Sequence, residues 1–194
     1  MKPVLQRVYS SRELAAQVGR MARKISRDYG SGTVDVVVML ENAFVFAADL
    51  LRCLSGPVVC HFVRTEIRDV QFGGRDRREI FFTKAPRLEN RDVLVVDAII
   101  QTGLTQDFLL KRLQESRPRS LRLAVLFDRP RERHVDLKPD YFCFVAASKY
   151  LAGYGLAGSR GWYRNLPYVG VQPRRARAIA PRQHSTKVRR VRST

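Results

Sequence analysis

The stretch Val93-Leu-Val-Val-Asp-Ala-Ile-Ile-Gln-Thr-Gly-Leu-Thr105 decides the fold of this chain. It begins with four consecutive apolar residues, which is typical of a strand buried on both faces of a parallel sheet. It ends in a turn from Gln101 to Thr105, directly before apolar residues at helical spacing, Leu109 and Leu113. The stretch therefore predicts a buried strand, a tight turn and the start of a helix.

The residues of this turn support two interpretations. In the first, Thr102, Gly103, Leu104 and Thr105 hold a phosphate. The first N–H groups of a helix have no helical partner, the helix dipole adds positive potential, and Gly103 lets the backbone approach a ligand closely. In the second, the turn only connects a strand to a helix, and Thr102 or Thr105 caps that helix.

The stretch resembles the signature of the hypoxanthine/guanine phosphoribosyltransferases, in which a buried strand ends in two acidic residues, two aliphatic residues and Asp-Thr-Gly-x-Thr. Asp97 is the first acidic residue here, Ala98 stands in place of the second, and Gln101 replaces the Asp that opens the loop. The resemblance implies that Thr102–Thr105 bind the 5′-phosphate of phosphoribosyl pyrophosphate. It also implies that Asp97 lies beside the ribose and that Gln101 occupies the family's acid/base position.

Length, apolar runs and cysteine content indicate what class of protein this is. A chain of 194 residues with 45% hydrophobic content can bury one core, so we expect one domain over residues 1–172. No apolar run is long enough to cross a bilayer, so no membrane partner is expected. Cys53, Cys60 and Cys143 lie in apolar contexts without metal-ligand spacing, which predicts buried free thiols in a reducing, cytoplasmic compartment.

The charge balance is strongly basic, with a net charge of +18. The tail over residues 173–194 contains eight basic residues and no acidic one, so we expect it to be disordered. A basic surface favours anionic partners, either phosphate ligands or nucleic acid. The alternative is an arginine-rich composition with a solvated tail.

The remaining pattern alternates helices and strands. Ser10 and Glu13 form a capping-box pattern at the start of a helix. Five apolar residues at helical spacing predict the buried face of this helix: Leu14, Val18, Met21, Ala22 and Ile25. Strands are predicted over 34–40, 58–63 and 121–127, and a hairpin-like excursion is predicted over 64–83. Such alternation predicts an α/β fold with a parallel sheet and a site at the carboxyl ends of its strands.

The segment from Glu41 to residue 54 also has two interpretations. It predicts a helix from Phe44, buried along Phe44, Ala47, Ala48 and Leu51, with Asn42 as its N-cap and Glu41 near its positive end. The same segment resembles the family's turn for pyrophosphate, where Glu41 and Asn42 replace a lysine and a glycine. A carboxylate there repels pyrophosphate by about 1 to 4 kcal/mol. The resemblance places Arg164 at a pyrophosphate-binding arginine.

Two further segments resemble the family's purine pocket. Asp128-Arg129-Pro130 is similar to the family's Asp-Lys-Pro, and the resemblance implies that Arg129 contacts the exocyclic oxygen of the base. Tyr150 stands where the family has an aromatic residue that stacks on the purine, followed by Leu151. The alternative for Tyr150 is a core aromatic. Ala157 replaces a magnesium-binding Asp.

Together these matches imply a type I phosphoribosyltransferase fold, with helices on both faces of the sheet and a small hood region. They imply a homo-oligomer, dimer or tetramer, and Mg²⁺ as cofactor at a site weakened by Ala98 and Ala157. We expect a protein that binds a purine nucleotide or phosphoribosyl pyrophosphate, in which purine-salvage transfer of the phosphoribosyl group is weak or lost. A slow working enzyme is one alternative. A regulatory or RNA/DNA-binding protein that uses its basic surface and tail is another.

Overall fold

The computed structural model describes residues 5–64, 66–72, 75–81, 86–146 and 150–171. Its elements in chain order are β1 Gln6–Tyr9, α1 Ser11–Tyr29, β2 Val34–Leu40, α2 Phe44–Cys53, β3 Val58–Arg64, β4 Glu66–Phe72, β5 Arg75–Phe81, β6 Asp92–Ile100, α3 Leu104–Gln114, β7 Ser120–Asp128, β8 Tyr141–Val145, β9 Leu151–Ala152 and β10 Val169–Val171. In these ranges, no helix is long and apolar enough to span a membrane.

The first helix begins as its sequence predicts. The Ser10 backbone N–H donates to the Glu13 carboxylate at 2.8 Å, and the Glu13 N–H donates to the Ser10 hydroxyl at 3.3 Å. Both halves of the capping box are therefore present. The buried residues of α1 are the five apolar residues predicted from helical spacing, which confirms its orientation.

The core of the molecule is a five-stranded sheet in the order β3-β2-β6-β7-β8. Every neighbouring pair in it is parallel. Because parallel strands end at the same edge, the loops after β2, β6 and β7 all leave from one side of the sheet. Ile100 and Asp128 are register partners at that edge.

Helices cover both faces of this sheet, as predicted. Leu94, Val96 and Ala98 of β6 pack into one core together with α1 and α2. Val93 and Val95 face the opposite way and pack with α3. This alternation follows from the two-residue period of a strand and explains the continuous apolar run.

The structure contains two further, small sheets. β1, β10 and β9 form an antiparallel three-stranded sheet, which corresponds to the predicted hood. β4 and β5 pair as a hairpin with Glu66 opposite Phe81, which confirms the predicted excursion. The side chains of residues 65–85 and the tail over 173–194 lie outside the described residues, so the predictions about them remain predictions.

The predicted buried face of α2 is partly wrong. Phe44 is 45% exposed and Ala48 is exposed, whereas Phe46, Ala47 and Leu50 are the buried residues. Nearly every position in α2 is apolar, so spacing alone cannot select a face. The contact with the sheet selects it instead.

The prediction of buried thiols is also wrong for two of the three cysteines. Cys53 and Cys60 are exposed, and Cys143 is half-buried. Cys53 is the last residue of α2, and Cys60 lies on β3, the edge strand of the central sheet. The three thiols are free.

Candidate functional site

The turn between β6 and α3 is built around Gly103. Gly103 is the N-cap of α3 and adopts a left-handed conformation with φ +81°. Gly103 has no side chain that could cap the helix, but the Thr102 hydroxyl accepts a long hydrogen bond of 3.5 Å from the Leu104 N–H. The contact predicted for Thr102 is therefore present in a weak form, whereas Thr105 lies inside the helix and is not its N-cap. The other N–H groups of a first helical turn have no partner within the helix.

The loop that follows β7 packs directly against Gly103. A Cβ atom at this position would lie 2.8 Å from Cγ2 of Val135 and 2.9 Å from Cδ of Arg133. Glycine is thus required here by packing as well as by its positive φ. The sequence predicted only the approach of a ligand and missed this contact.

Hydrogen bonds hold the same loop onto the turn. Nη1 of Arg133 donates to the carbonyl of Gln101 at 2.8 Å, and its Nη2 pairs with Asp128. The His134 N–H donates to the carbonyl of Thr102 at 2.9 Å. Arg133 therefore fixes the backbone at the start of the turn. Arg133 was not predicted, because its partner in the turn, Gln101, lies 32 residues before it in the sequence.

Beneath the turn lies a buried polar pair. Oδ2 of Asp97 accepts from Nε2 of Gln106 at 2.6 Å, and Oδ1 accepts from the Ala98 N–H at 2.6 Å. Asp97 is 8% exposed and Gln106 is 7% exposed. Burial raises the pKa of Asp97 to about 6, because desolvation outweighs the hydrogen bonds from Gln106 and the backbone.

Gln106 was not recognised from the sequence, although a signal was present. It lies on the same helical face as Leu109 and Leu113, and all three are buried. A polar residue in the core-facing stripe of a helix requires a buried partner.

On the next strand, the turn after β2 is tied to a distant arginine. Nη1 of Arg164 donates at 2.7 Å to both Oδ1 of Asn42 and the carbonyl of Gly155. The Glu41 carboxylate lies 3.4 Å from Nη2 of Arg164 and 3.2 Å from Nη2 of Arg64. The predicted residues Glu41, Asn42 and Arg164 are thus brought together, and Arg64 joins them.

The predicted N-cap role of Asn42 is wrong. The N-cap of α2 is Ala43, and no side-chain hydrogen bond caps the helix. The Asn42 oxygen accepts from Arg164 instead. The peptide bond between Leu40 and Glu41 is cis.

Arg129 follows β7 and lies beside the same edge. Its N–H donates to the carbonyl of Ile100 at 3.1 Å, so it adjoins the turn. It is 2% exposed, and its Nη2 pairs with Glu132. Within the described part of the chain, its Nε and Nη1 have no hydrogen-bond partner.

The remaining base-side residues lie at the start of the hood. Tyr150 is 48% exposed, and Leu151, the first residue of β9, is 8% exposed. This exposure shows that Tyr150 is not a fully buried core aromatic. Leu151 belongs to the main core.

The residues at the family's metal positions do not fit a magnesium site. Mg²⁺ prefers oxygen ligands, and neither Ala98 nor Ala157 carries a side-chain oxygen. Among the residues that the structure describes, no group of three or more His, Cys, Asp or Glu side chains could hold a metal ion. We therefore derive no chemical step through Mg²⁺.

Comparison with known proteins agrees with this architecture. A sequence model of the phosphoribosyl transferase domain matches residues 5–156. The hypoxanthine-guanine phosphoribosyltransferase of Streptococcus mutans is 30% identical over 166 residues, which cover 84% of this chain and 91% of that protein. A similar enzyme from Streptococcus thermophilus is 28% identical over 174 residues, covering 88% of this chain and 94% of that protein.

Solved structures give the same result. The crystal structure of a hypoxanthine-guanine phosphoribosyltransferase from Bacillus anthracis, with HEPES in its active site, superposes with a TM-score of 0.78. It is 29% identical in sequence and covers 87% of this chain and 97% of its own. From the turn after β6, the parallel sheet and these matches, we conclude that the chain belongs to the hypoxanthine-guanine phosphoribosyltransferase family.

Proposed function

We propose that this protein binds a purine nucleotide or phosphoribosyl pyrophosphate, with the 5′-phosphate on the turn Thr102–Thr105, and that transfer of the phosphoribosyl group to a purine is weak or lost. The observation that carries the proposal is the start of α3 behind a left-handed Gly103 that has no capping side chain, in a chain of this family. The N–H groups of a first helical turn have no partner within the helix, so they can bind phosphate oxygens.

Arg129 supports recognition of the base. A buried guanidinium with two unpaired nitrogens is unfavourable unless a partner supplies acceptors. A purine that carries an exocyclic oxygen offers acceptors on its edge. Arg129 adjoins the turn through Ile100, so one ligand can meet both groups. Tyr150, with an exposed ring, would stack on that base.

The substitutions argue against efficient transfer. The amide of Gln101 cannot take up a proton at neutral pH, so it cannot act as the general base. Glu41 places a negative charge where the departing pyrophosphate would lie, and it already pairs with Arg64 and Arg164. The ribose contact of Asp97 remains a prediction, since both its oxygens accept hydrogen bonds within the protein.

The proposal is tested by calorimetric titration of the full chain with inosine 5′-monophosphate and with ribose 5-phosphate. Arg129→Met should weaken nucleotide binding roughly tenfold and leave ribose 5-phosphate binding unchanged, because the hydrogen bonds it removes point to the base. Arg131→Met is the matched control, since Arg131 is an exposed arginine in the same loop. Equal affinities of all three proteins for both ligands would contradict a base-binding role for Arg129.

A nucleic-acid-binding role is the second candidate. Helix α1 exposes five basic side chains along one element: Arg12, Arg20, Arg23, Lys24 and Arg27. Binding of this kind falls steeply with salt, because phosphate contacts release counterions. Titration with single-stranded RNA at two salt concentrations tests it, and no binding at the lower concentration would reject it.

A further inference from the structure

Asp97 is expected beside the ribose, but its buried pairing with Gln106 points to a different role. Asp97 lies near the end of β6, and Gln106 lies in the first turn of α3. The turn Gln101–Thr105 lies between them in the chain. Their hydrogen bond of 2.6 Å therefore spans the base of the turn and joins the strand before it to the helix after it.

Gln106 fastens the helix to the strand at a second point. Its Nε2 also lies 3.3 Å from the carbonyl of Ile99, so one amide group contacts both a side chain and the backbone of β6. Asp97 contributes a further bond, from the Ala98 N–H. A carboxylate that is 8% exposed needs such partners, because an unpaired buried charge is strongly unfavourable. The hydrogen bonds from Gln106 therefore form only when α3 and β6 keep this relative position.

Asp97 points away from the main core that contains α1 and α2. Val93 and Val95, at two-residue spacing before it, face the core formed with α3. Ala98 faces the other core. The orientation of the Asp97 carboxylate is thus set by the strand, and the carboxylate is directed to α3, the helix that follows the turn.

We infer that Asp97 and Gln106 form a buried latch that positions the turn Gln101–Thr105 for an anionic group, and that Asp97 acts on the ligand through this turn rather than by contact. The inference rests on the proposed function for the identity of the anion. A backbone cradle binds phosphate well only when its N–H groups are already oriented, since otherwise binding must order the turn. The latch supplies that order.

The test compares affinities for inorganic phosphate and for inosine 5′-monophosphate. Gln106→Met keeps the length of the side chain but removes its NH₂ donor. Asp97→Asn removes the charge of the pair, and its NH₂ group can be accommodated only if the Gln106 amide turns over and gives up its contact with the Ile99 carbonyl. Each variant should weaken both ligands by the same factor, about tenfold, which is the effect of one buried charge-assisted hydrogen bond. If Asp97 instead contacts the ribose, Asp97→Asn will weaken only the nucleotide and Gln106→Met will weaken neither. That result would overturn the inference.

Asp35→Asn provides the matched control. Asp35 is also buried, at 3% exposure, and pairs with His61 and Arg91. Asp35 is the register partner of Val93 on the neighbouring strand. Val93 lies four residues before Asp97, so Asp35 is displaced from Asp97 by about 13 Å in the direction of the strands. Its loss should lower stability without changing either affinity. Equal loss of affinity in Asp35→Asn and Asp97→Asn would mean that general destabilisation explains the effect.

Hydrogen exchange in the free protein separates this inference from the proposed function. The Asp107 N–H donates to the carbonyl of Gly103 at 2.8 Å and reports on the first turn of α3. Gln106→Met should speed the exchange of this amide about tenfold. Asp35→Asn should change its exchange rate by no more than the loss of global stability in that variant explains. If the wild-type protein binds no phosphate, this readout still tests the latch. Unchanged exchange in Gln106→Met would refute it.

Discussion

The carboxylate of Glu41 lies 3.4 Å from the guanidinium of Arg164. The same carboxylate approaches Arg64 at 3.2 Å, so one internal anion lies against two arginines at the carboxyl edge of the sheet. Arg164 also lines a cleft of about 420 Å³ formed by residues 161–166. An external anion that approaches these arginines must compete with Glu41.

Glu41→Lys is therefore expected to raise the affinity for inorganic pyrophosphate. The change removes a negative charge, adds a positive one and releases Arg64 and Arg164 from their ion pairs with Glu41. Because Glu41 is 54% exposed, solvent screens the effect, and we expect about a fivefold gain, or roughly 1 kcal/mol. Calorimetric titration with pyrophosphate measures it.

Glu115→Lys is the control for this prediction, because it makes the same change of charge at the far end of α3, where Glu115 is 62% exposed and pairs with Arg112. Equal gains in both variants would show that net charge, and not the Glu41 position, governs the affinity.

Gly103→Ala is expected to destabilise the protein more than Gly161→Ala. Both glycines have similar positive φ, +81° and +76°, so each substitution costs about 1 to 2 kcal/mol in backbone strain. A Cβ at Gly161 meets nothing within 4 Å, whereas one at Gly103 meets Val135 and Arg133. This overlap should add about 1 to 3 kcal/mol for Gly103 alone. Urea unfolding of the two variants gives the difference, and equal losses would argue against tight packing of the loop on the turn.

Asp97 makes stability depend on pH. Its pKa is raised from 3.8 in the unfolded chain to about 6 in the folded one, so the folded state binds more protons between these values. The contribution of Asp97 to the free energy of unfolding is fully present below about pH 4 and is lost as the pH rises through 6. This contribution amounts to at most about 3 kcal/mol. Urea unfolding from pH 4 to 7 should show this decrease in the wild type and its absence in Asp97→Asn. A constant difference between the two proteins across that range would contradict the raised pKa.

The cysteines should differ in reactivity. Cys53 and Cys60 are exposed and should react quickly with a thiol reagent under native conditions. Cys143 should react slowly, because burial raises its pKa to about 12 and the thiolate is the reactive form. Peptide mapping by mass spectrometry after timed labelling identifies each site. Labelling of Cys143 as fast as Cys60 would show that β8 opens readily.

Local signals in the sequence predicted most of the fold. The capping box of Ser10 and Glu13 and the apolar spacing of α1 are contained within a few residues, and both are confirmed. The uniformly apolar α2 gave no such signal, so its buried face was predicted wrongly at Phe44. Amphipathic patterns predict orientation only when both polar and apolar residues are present.

The backbone conformation of the candidate site could be predicted from the sequence, but most of its side-chain contacts could not. The turn at Gly103 follows from its own residues, but Arg133 and Gln106 act through partners on other elements. Asn42 had the residue type of an N-cap, yet Arg164, far away in the chain, binds its oxygen. Such tertiary competition for a polar side chain has no signature in a single sequence.

The most direct test of the proposed function is calorimetric titration of the wild-type protein with inosine 5′-monophosphate, once with Mg²⁺ and once with a chelator. Ala98 and Ala157 offer no side-chain oxygen ligands, and under the proposed function the turn at Gly103 binds phosphate through its backbone rather than through a metal ion. We predict binding with the same dissociation constant in both conditions. No binding in either condition, or binding only with Mg²⁺, would contradict it.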